Sequence, residues 1–267
     1  MKSLLKLAAI DIGVDGVQLG FGPEVTTVEP ACRMLAAAKY AFLDETVDAP
    51  EELYYMYRDV ACTEDRAAVE RSGVRYDVTV ILPGCVGPEY IKTVGHYHPV
   101  TPGSDMTYPE GYEVLSGEAT YLLQRPGLVS RQPPAASRQE AICAIDDVYA
   151  VVARPGDKVV IPPGYGHITI NAGSEPLVMA NWVAAEFESV YGAMRELKGG
   201  AYYLLSSGEW VKNPLYGQVP QLRFEKVREY AELGLISGVG MYGLIRQAPE
   251  KLRFLTHPVE FSWGSRP

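Results

Sequence analysis

The sequence predicts a mainly β protein: one antiparallel sandwich or barrel, preceded by an N-terminal arm and followed by short helices. Three observations carry this reading. From Arg75 to about Leu205 the chain is a succession of short β-branched and aromatic runs broken by Gly and Pro, the texture of closely spaced antiparallel strands. The stretches on either side are richer in helix formers. With 267 residues, 47% hydrophobic and 21% charged, the chain can bury a sizeable core without disulfide or metal staples. The organisation that follows is an arm over residues 1–70, a barrel carrying the functional site over 71–205, and a helical extension over 206–267.

Within the arm, Cys32–Leu43 (CRMLAAAKYAFL) is rich in helix formers and predicts a short helix. Thr63 followed by Glu64 and Asp65 has the form of an N-cap and an acidic first turn, opening a helix that runs through Arg71. The barrel strands are expected at 76–82, 89–98, 112–117, 119–124, 147–153, 157–163 and 176–185. Pro126–Gln139 (PGLVSRQPPAASRQ) is the one biased segment and predicts an exposed loop between two strands. In the tail, residues 222–234 (LRFEKVREYAELG) bring Leu222, Val227, Tyr230 and Leu233 near one face of a helix. No internal repeat is present.

Charge and cysteine usage narrow the class of partner. Lys and Arg total 24 against 33 Asp and Glu, a formal net charge of -9, which repels phosphate backbones and argues against nucleic acid. An anionic small molecule would need a local polar site. The four cysteines, Cys32, Cys62, Cys85 and Cys143, form no CxxC pair, a pattern of reduced thiols and a cytoplasmic protein. Asp11 interrupts the first apolar run, so no signal peptide is expected, and no stretch of the sequence is apolar enough for a membrane span.

Chemistry concentrates at the histidines. Three of the four fall into two compact arrangements. In His96-Tyr97-His98 the imidazoles lie two residues apart, so on a strand both point to one face and can grip one ion. In the second, Gly156 starts a strand, Pro162 and Pro163 end it, Gly164 and Gly166 permit a sharp turn, and His167 opens the next strand, with Asn171 four residues on. His257 precedes Pro258, fits neither arrangement and reads as a surface residue.

Together these resemble the two signature motifs of the cupin superfamily. G-x5-P-x-G-x2-H-x3-N is matched at Gly156, Pro162, Gly164, His167 and Asn171. G-x5-HxH-x3/4-E-x6-G is matched in part: His96 and His98 are present, and Glu110 precedes Gly117 at the required distance. Tyr90 takes the place of the leading Gly, and eleven residues (PVTPGSDMTYP) separate His98 from Glu110. That Pro- and Gly-rich insert can loop out. Of the alternative carboxylates, Asp105 lies within the insert and Glu113 points to the opposite face from Glu110. One motif pair implies one cupin jelly-roll barrel per chain, with His96, His98, Glu110 and His167 as metal ligands. Three imidazoles and a carboxylate leave coordination positions open, which suits one divalent ion per chain: Fe(II) first, with Mn(II), Ni(II) or Zn(II) as alternatives.

The runs YDVTVILPGCVGPEYIKTVGHYH (76–98), EGYEVLSGEATYLLQ (110–124) and PPGYGHITINAGSEPLVMANWV (162–183) further resemble the cupin-type glucose-6-phosphate isomerases. The resemblance covers roughly Arg75 to Gly200. It implies a homodimeric enzyme of glycolysis and gluconeogenesis that interconverts glucose 6-phosphate and fructose 6-phosphate. It places Thr79, Thr93 and Gly95 at phosphate-binding positions, and Tyr112 and Tyr191 in the sugar site. Val183 and Ser189 depart from it, standing where some members carry a Tyr and a His. Strict alternation would turn Thr93 and Gly95 away from His96 and His98; a bulge at Gly95 would re-aim Thr93 inward. Without it, Lys92 is the better phosphate ligand. Glu110 is the carboxylate that could move a proton between C1 and C2, with Tyr112 assisting, while a metal-assisted hydride shift would use the same ligands and need no base. Two rivals share the ligand set: a metal-dependent cupin oxygenase, and a non-catalytic sugar-phosphate-binding cupin.

Overall fold

The computed structural model describes residues 3–7, 10–15, 18–47, 50–127, 144–186 and 188–263. A three-stranded antiparallel sheet opens the chain: β1 (Ser3–Leu7), β2 (Ile10–Asp15) and β3 (Gln18–Phe21). β4 (Ala31–Met34) and β5 (Glu52–Tyr57) come next, followed by a helix over Arg66–Ser72. β6 (Val74–Ile81) leads through the small hairpin β7 (Cys85–Val86) and β8 (Glu89–Tyr90) to the histidine segment. Next come β9 (Glu110–Ser116), β10 (Ala119–Pro126), β11 (Ile145–Ala153), β12 (Lys158–Ile161), β13 (Gly166–Ile170) and β14 (Leu177–Ala184). β15 (Tyr202–Leu204), β16 (Trp210–Lys212) and β17 (Arg223–Glu225) follow. The predicted loop 126–139 lies outside the described residues apart from Pro126, which ends β10, and Gly127.

Two sheets face each other. One has the order β12-β9-β14-β6-β5-β4 and is antiparallel throughout; the other has the order β13-β10-β11-β17. Tyr112, Val114, Leu177 and Met179 of the first meet Tyr121, Leu123, Tyr149 and Val151 of the second in one buried cluster. This is the antiparallel sandwich that the strand spacing predicts and the jelly roll that the cupin resemblance implies. The strands read as nearly continuous apolar runs because both faces of the larger sheet are covered. Its outer face (Tyr76, Val78, Val80, Ala180, Trp182) packs against the C-terminal turns, with Trp182 stacked on Tyr242 at 5.7 Å and bonded through Nε1 to the Met241 carbonyl. The outer face of the smaller sheet is covered by Met194, Leu197, Leu204 and Tyr216.

Alternation then decides where polarity goes. On β6 the even residues Tyr76, Val78 and Val80 face the outer core, so Arg75, Asp77 and Thr79 face inward. The same alternation turns Met179 and Asn181 of β14, and Glu110 and Tyr112 of β9, to the interior. The polar residues of three adjacent strands thus converge on one cavity.

Three expected elements differ. Cys32–Leu43 is not one helix: it begins as β4 and continues as short turns over Leu35–Ala38 and Lys39–Ala41. The helix that Thr63 was expected to cap begins at Arg66 after a tight turn over Thr63–Asp65, and the Thr63 hydroxyl instead reaches the Glu24 carbonyl at 3.3 Å. The helix predicted for residues 222–234 is absent. Arg223–Glu225 forms β17, parallel to β11, and only Ala231–Leu233 makes a helical turn. The apolar residues that suggested one helical face are shared out instead: Leu222 packs on the outside of the smaller sheet, Val227 on the inter-sheet core and Leu233 on the C-terminal cluster. A 13-residue helix is marginal by itself, so these three anchors outweigh propensity. Short helical segments do follow, at Leu244–Gln247 and Pro249–Leu255.

Candidate metal centre

Four side chains from three segments meet inside the barrel. His96 and His98 lie on the irregular segment after β8, Glu110 starts β9, and His167 lies on β13. One donor atom from each falls within 4.8 Å of all the others. His96 Nε2 is 3.3 Å from His98 Nε2, and Glu110 Oε2 is 3.2 Å from His98 Nε2 and 3.4 Å from His167 Nε2.

Local structure accounts for each placement. His96 and His167 are locked by a reciprocal backbone pair, His96 N–H to the His167 carbonyl at 3.3 Å and the reverse at 3.1 Å. His98 Nδ1 donates to the Tyr108 carbonyl at 2.7 Å, which fixes the tautomer and turns Nε2 toward the cluster. The insert between His98 and Glu110 folds on itself, Val100 bridging Thr107 and Tyr108 N–H meeting the Pro99 carbonyl. It therefore loops out and leaves Glu110 at the head of its strand. Glu110 Oε1 accepts from Asn181 Nδ2 at 2.6 Å, leaving Oε2 to the histidines. Glu113 faces the other way, onto Lys158 and the Met241 amide.

The chemistry of these donors fits a divalent cation. Burial pushes His96 well below its ordinary range, and His167 and His98 push in the same direction. Burial brings His167 down to about 4 against the opposing charge of Glu110. Burial disfavours charge on Glu110, but His98 and His167 outweigh it and hold the carboxyl below its usual value. Neutral imidazoles beside an ionised carboxylate are the ligand forms a metal requires. Glu110 Oε2 and His167 Nδ1 are moreover buried without a hydrogen-bond partner, an arrangement that a bound cation would relieve at the carboxylate. Tyr112, its hydroxyl 3.1 Å from His167 Nε2, is pushed well above its ordinary range by burial and then by the Glu110 charge, so it stays a protonated donor.

The depressed imidazoles set a pH dependence. A buried histidine with a lowered folded value binds fewer protons folded than unfolded, so stability rises with pH. The contribution is complete above about 6.5, the unfolded value, and is lost as pH falls toward the folded value of about 4. The melting temperature of chelator-treated protein is therefore expected to fall steadily from about pH 7 to pH 4.5. A flat profile would contradict neutral burial of these rings.

A cavity opens onto the cluster. Its walls include Arg58, Arg75, Asp77, Thr79, Thr93, Gly95, His96, Glu110, Tyr112, His167, Asn181, Ser189 and Tyr191. Size does not select it, since a larger cleft lined by Asp105 and Tyr165 lies on the other side of His98. The convergence of ligands does. Within residues 31–221 the chain matches the family model "Glucose-6-phosphate isomerase (GPI)", a span of well over half its length. The chain belongs to the glucose-6-phosphate isomerase family. Curated relatives agree. The glucose-6-phosphate isomerase of Thermococcus gammatolerans is 31% identical over 144 residues, 54% of this chain and 64% of that protein. That of Pyrococcus abyssi is 28% identical over 201 residues, 73% of this chain and 91% of that protein. Among solved structures, an oxalate decarboxylase of Lactobacillus farciminis aligns with a TM-score of 0.34 and 15% identity, over 61% of this chain and 32% of that one. That overlap is too slight to carry an argument.

Against the glucose-6-phosphate isomerase resemblance, the expected substrate residues divide. Thr79, Thr93, Gly95, Tyr112, Tyr191 and Ser189 line the cavity, and the Tyr191 ring lies 5.7 Å from that of His96. The alternation that would have turned Thr93 away is broken at Gly95, whose φ is +77°. Thr93 Oγ1 also accepts from the Thr169 amide at 3.0 Å. Lys92 is a correction. Its ammonium is buried, paired with Glu89 and held over the rings of Phe42 and Tyr203 at 4.7 and 4.8 Å, and it does not line the cavity. Val183 is buried against Tyr108 and Ala184 and does not line it either.

The sequence reading passed over Arg58, Arg75, Asp77 and Asn181. Once Thr79 is placed inward, alternation alone brings Asp77 and Arg75 to the same wall. Arg58 follows the end of β5 and had no such signal.

Gly95 permits the break. A Cβ there would lie 2.5 Å from Ile168 Cγ1 and 3.3 Å from the His167 carbonyl, in a backbone conformation that L residues disfavour. Gly95→Ala is expected to cost about 2 kcal/mol or more, read from urea unfolding. An unchanged midpoint would mean that the turn relaxes without cost.

Proposed function

We propose that this chain is a metal-dependent isomerase that interconverts glucose 6-phosphate and fructose 6-phosphate. The observation that carries the reading is the ligand cluster of His96, His98, Glu110 and His167 at a cavity, in a member of a family bearing that name. A divalent cation held by those four residues would supply Lewis acidity toward the C1 and C2 oxygens of the sugar. The chain's own groups do the rest. Glu110 carries the proton between C1 and C2 on its carboxylate. Asn181 fixes the other Glu110 oxygen, so that the carboxylate is presented in one orientation. The Tyr112 hydroxyl donates toward the reacting oxygens. The Thr79 hydroxyl and the backbone around Thr93 and Gly95 hold the phosphate, and Tyr191 closes the sugar site. The same reading includes Fe(II) as the working ion, a homodimer, a cytoplasmic location, and the division into arm, barrel and extension at residues 70 and 205. No helix among the described residues is long and apolar enough to cross a membrane.

The test is conversion in both directions by chelator-stripped protein reloaded separately with Fe(II), Mn(II), Ni(II) and Zn(II). The expected result is metal-dependent interconversion without oxygen uptake. Oxygen consumption would favour a cupin oxygenase, and tight sugar-phosphate binding without turnover a binding protein. Deuterium at C2 then probes the proton path: washout to solvent is expected, and complete retention during turnover would remove Glu110 from that role.

A further inference from the structure

Three charged side chains in the cavity wall have no part in the reading above. Asp77 is buried, and its carboxylate is fully engaged: Oδ2 accepts from Arg75 Nε at 2.9 Å and Arg58 Nη1 at 3.3 Å, and Oδ1 from the Asp59 amide at 2.8 Å. Two guanidiniums therefore share one carboxylate and leave a net positive charge on the wall. Anchoring Asp77 needs only one of them. Their other contacts are slight, Arg75 Nη1 to the Ala185 carbonyl at 3.4 Å and Arg58 Nη2 to the Met56 sulfur at 3.5 Å. Donors thus remain for a ligand.

Strand register places this charge along the cavity. Asp77 pairs with Asn181, which pairs with Tyr112 and donates to Glu110. Arg75 pairs with Val183, one step further toward the Glu110 end of β9. Thr79 pairs with Met179 and lies one step in the other direction. The guanidiniums consequently belong to the metal-ligand end, while the threonine hydroxyl lies past it. Among the described residues lining this cavity, Arg58 and Arg75 are the only lysine or arginine side chains.

We infer that Arg58 and Arg75, held by Asp77, are specificity-determining residues that recognise negative charge at the C1–C2 end of a sugar phosphate, the end that reacts, and not its phosphate. The inference rests on the isomerase reading and deepens it. A guanidinium binds an oxyanion through charge-assisted hydrogen bonds far more tightly than a neutral hydroxyl. The wall is therefore matched to charge that appears during the C1–C2 proton transfer.

The test compares two unreactive ligands on metal-reloaded protein by calorimetry. 6-Phosphogluconate carries a carboxylate at C1, and glucitol 6-phosphate a neutral hydroxyl there; their phosphates are alike. The unsubstituted protein is expected to prefer the acid, and Arg58→Gln and Arg75→Gln each to weaken acid binding about tenfold or more with the alcohol nearly unchanged. Alcohol binding doubles as the check on folding, and Arg58, half exposed, tolerates substitution without disturbing the core. Equal weakening of both ligands would assign the pair to the phosphate and overturn the inference, as would no weakening of either. Turnover by the unsubstituted protein reports separately on the isomerase reading.

Discussion

Glu110→Gln is expected to lower turnover by on the order of 10²- to 10³-fold and to weaken metal binding in parallel. The substitution keeps an oxygen that can accept from Asn181 Nδ2, so the strand and its neighbours have no reason to move. What disappears is the negative charge that faces His98 and His167. Three imidazoles would be left to hold the ion, with no carboxylate to carry a proton. Asn181→Ala is the companion experiment. It leaves the charge in place but frees the carboxylate to rotate, so a milder loss of about 10- to 100-fold in metal affinity is expected. Calorimetric metal titration beside initial rates separates the two. If Glu110→Gln turned over normally, the proposed ligand set would be wrong at its carboxylate.

The largest expected loss of stability lies outside the cavity. Glu89 and Lys92 form a buried ion pair, with the Glu89 carboxylate also accepting from the Leu43 amide at 2.6 Å. Burial pushes the lysine below its ordinary range, and the glutamate opposes that shift. Glu89→Ala would strand an ammonium between Phe42 and Tyr203, with an expected cost of about 3–5 kcal/mol. Removing both charges, as Glu89→Leu with Lys92→Met, is expected to recover most of that loss, because neither group is then buried without its partner. Chemical denaturation of the single and double variants checks both statements. A double variant no more stable than the single would show that the pair does more than satisfy itself.

These two pairs show what was legible in the sequence. Residues able to hold a metal are few, chemically distinctive and spaced by motif, so the cluster of His96, His98, Glu110 and His167 could be named before any coordinate. The alternation along β6 and β9 was equally readable, because a strand offers only two faces. Lys92 was misread for a physical reason. Proximity in sequence to Thr93 and Gly95, which the resemblance assigns to the phosphate, says nothing about where a long side chain ends, and a buried carboxylate three residues away captured it. The segment 222–234 failed differently. Its apolar spacing was real, but its residues serve three different clusters, and no single chain reveals how many surfaces its neighbours will present. Arg58 could not be found at all, since its role depends on the pairing of β5 with β6 and on the orientation of Asp77.

The most direct test of the central claim is a stoichiometric reload. Chelator-stripped protein, inactive at the start, is titrated with Fe(II) under anaerobic conditions while fructose 6-phosphate formation from glucose 6-phosphate is followed. Activity is expected to rise linearly and to break at one equivalent per chain, with His167→Ala giving no such break. Full activity in metal-free protein, or a rise with no break at one equivalent, would contradict a single functional ion held by these four residues.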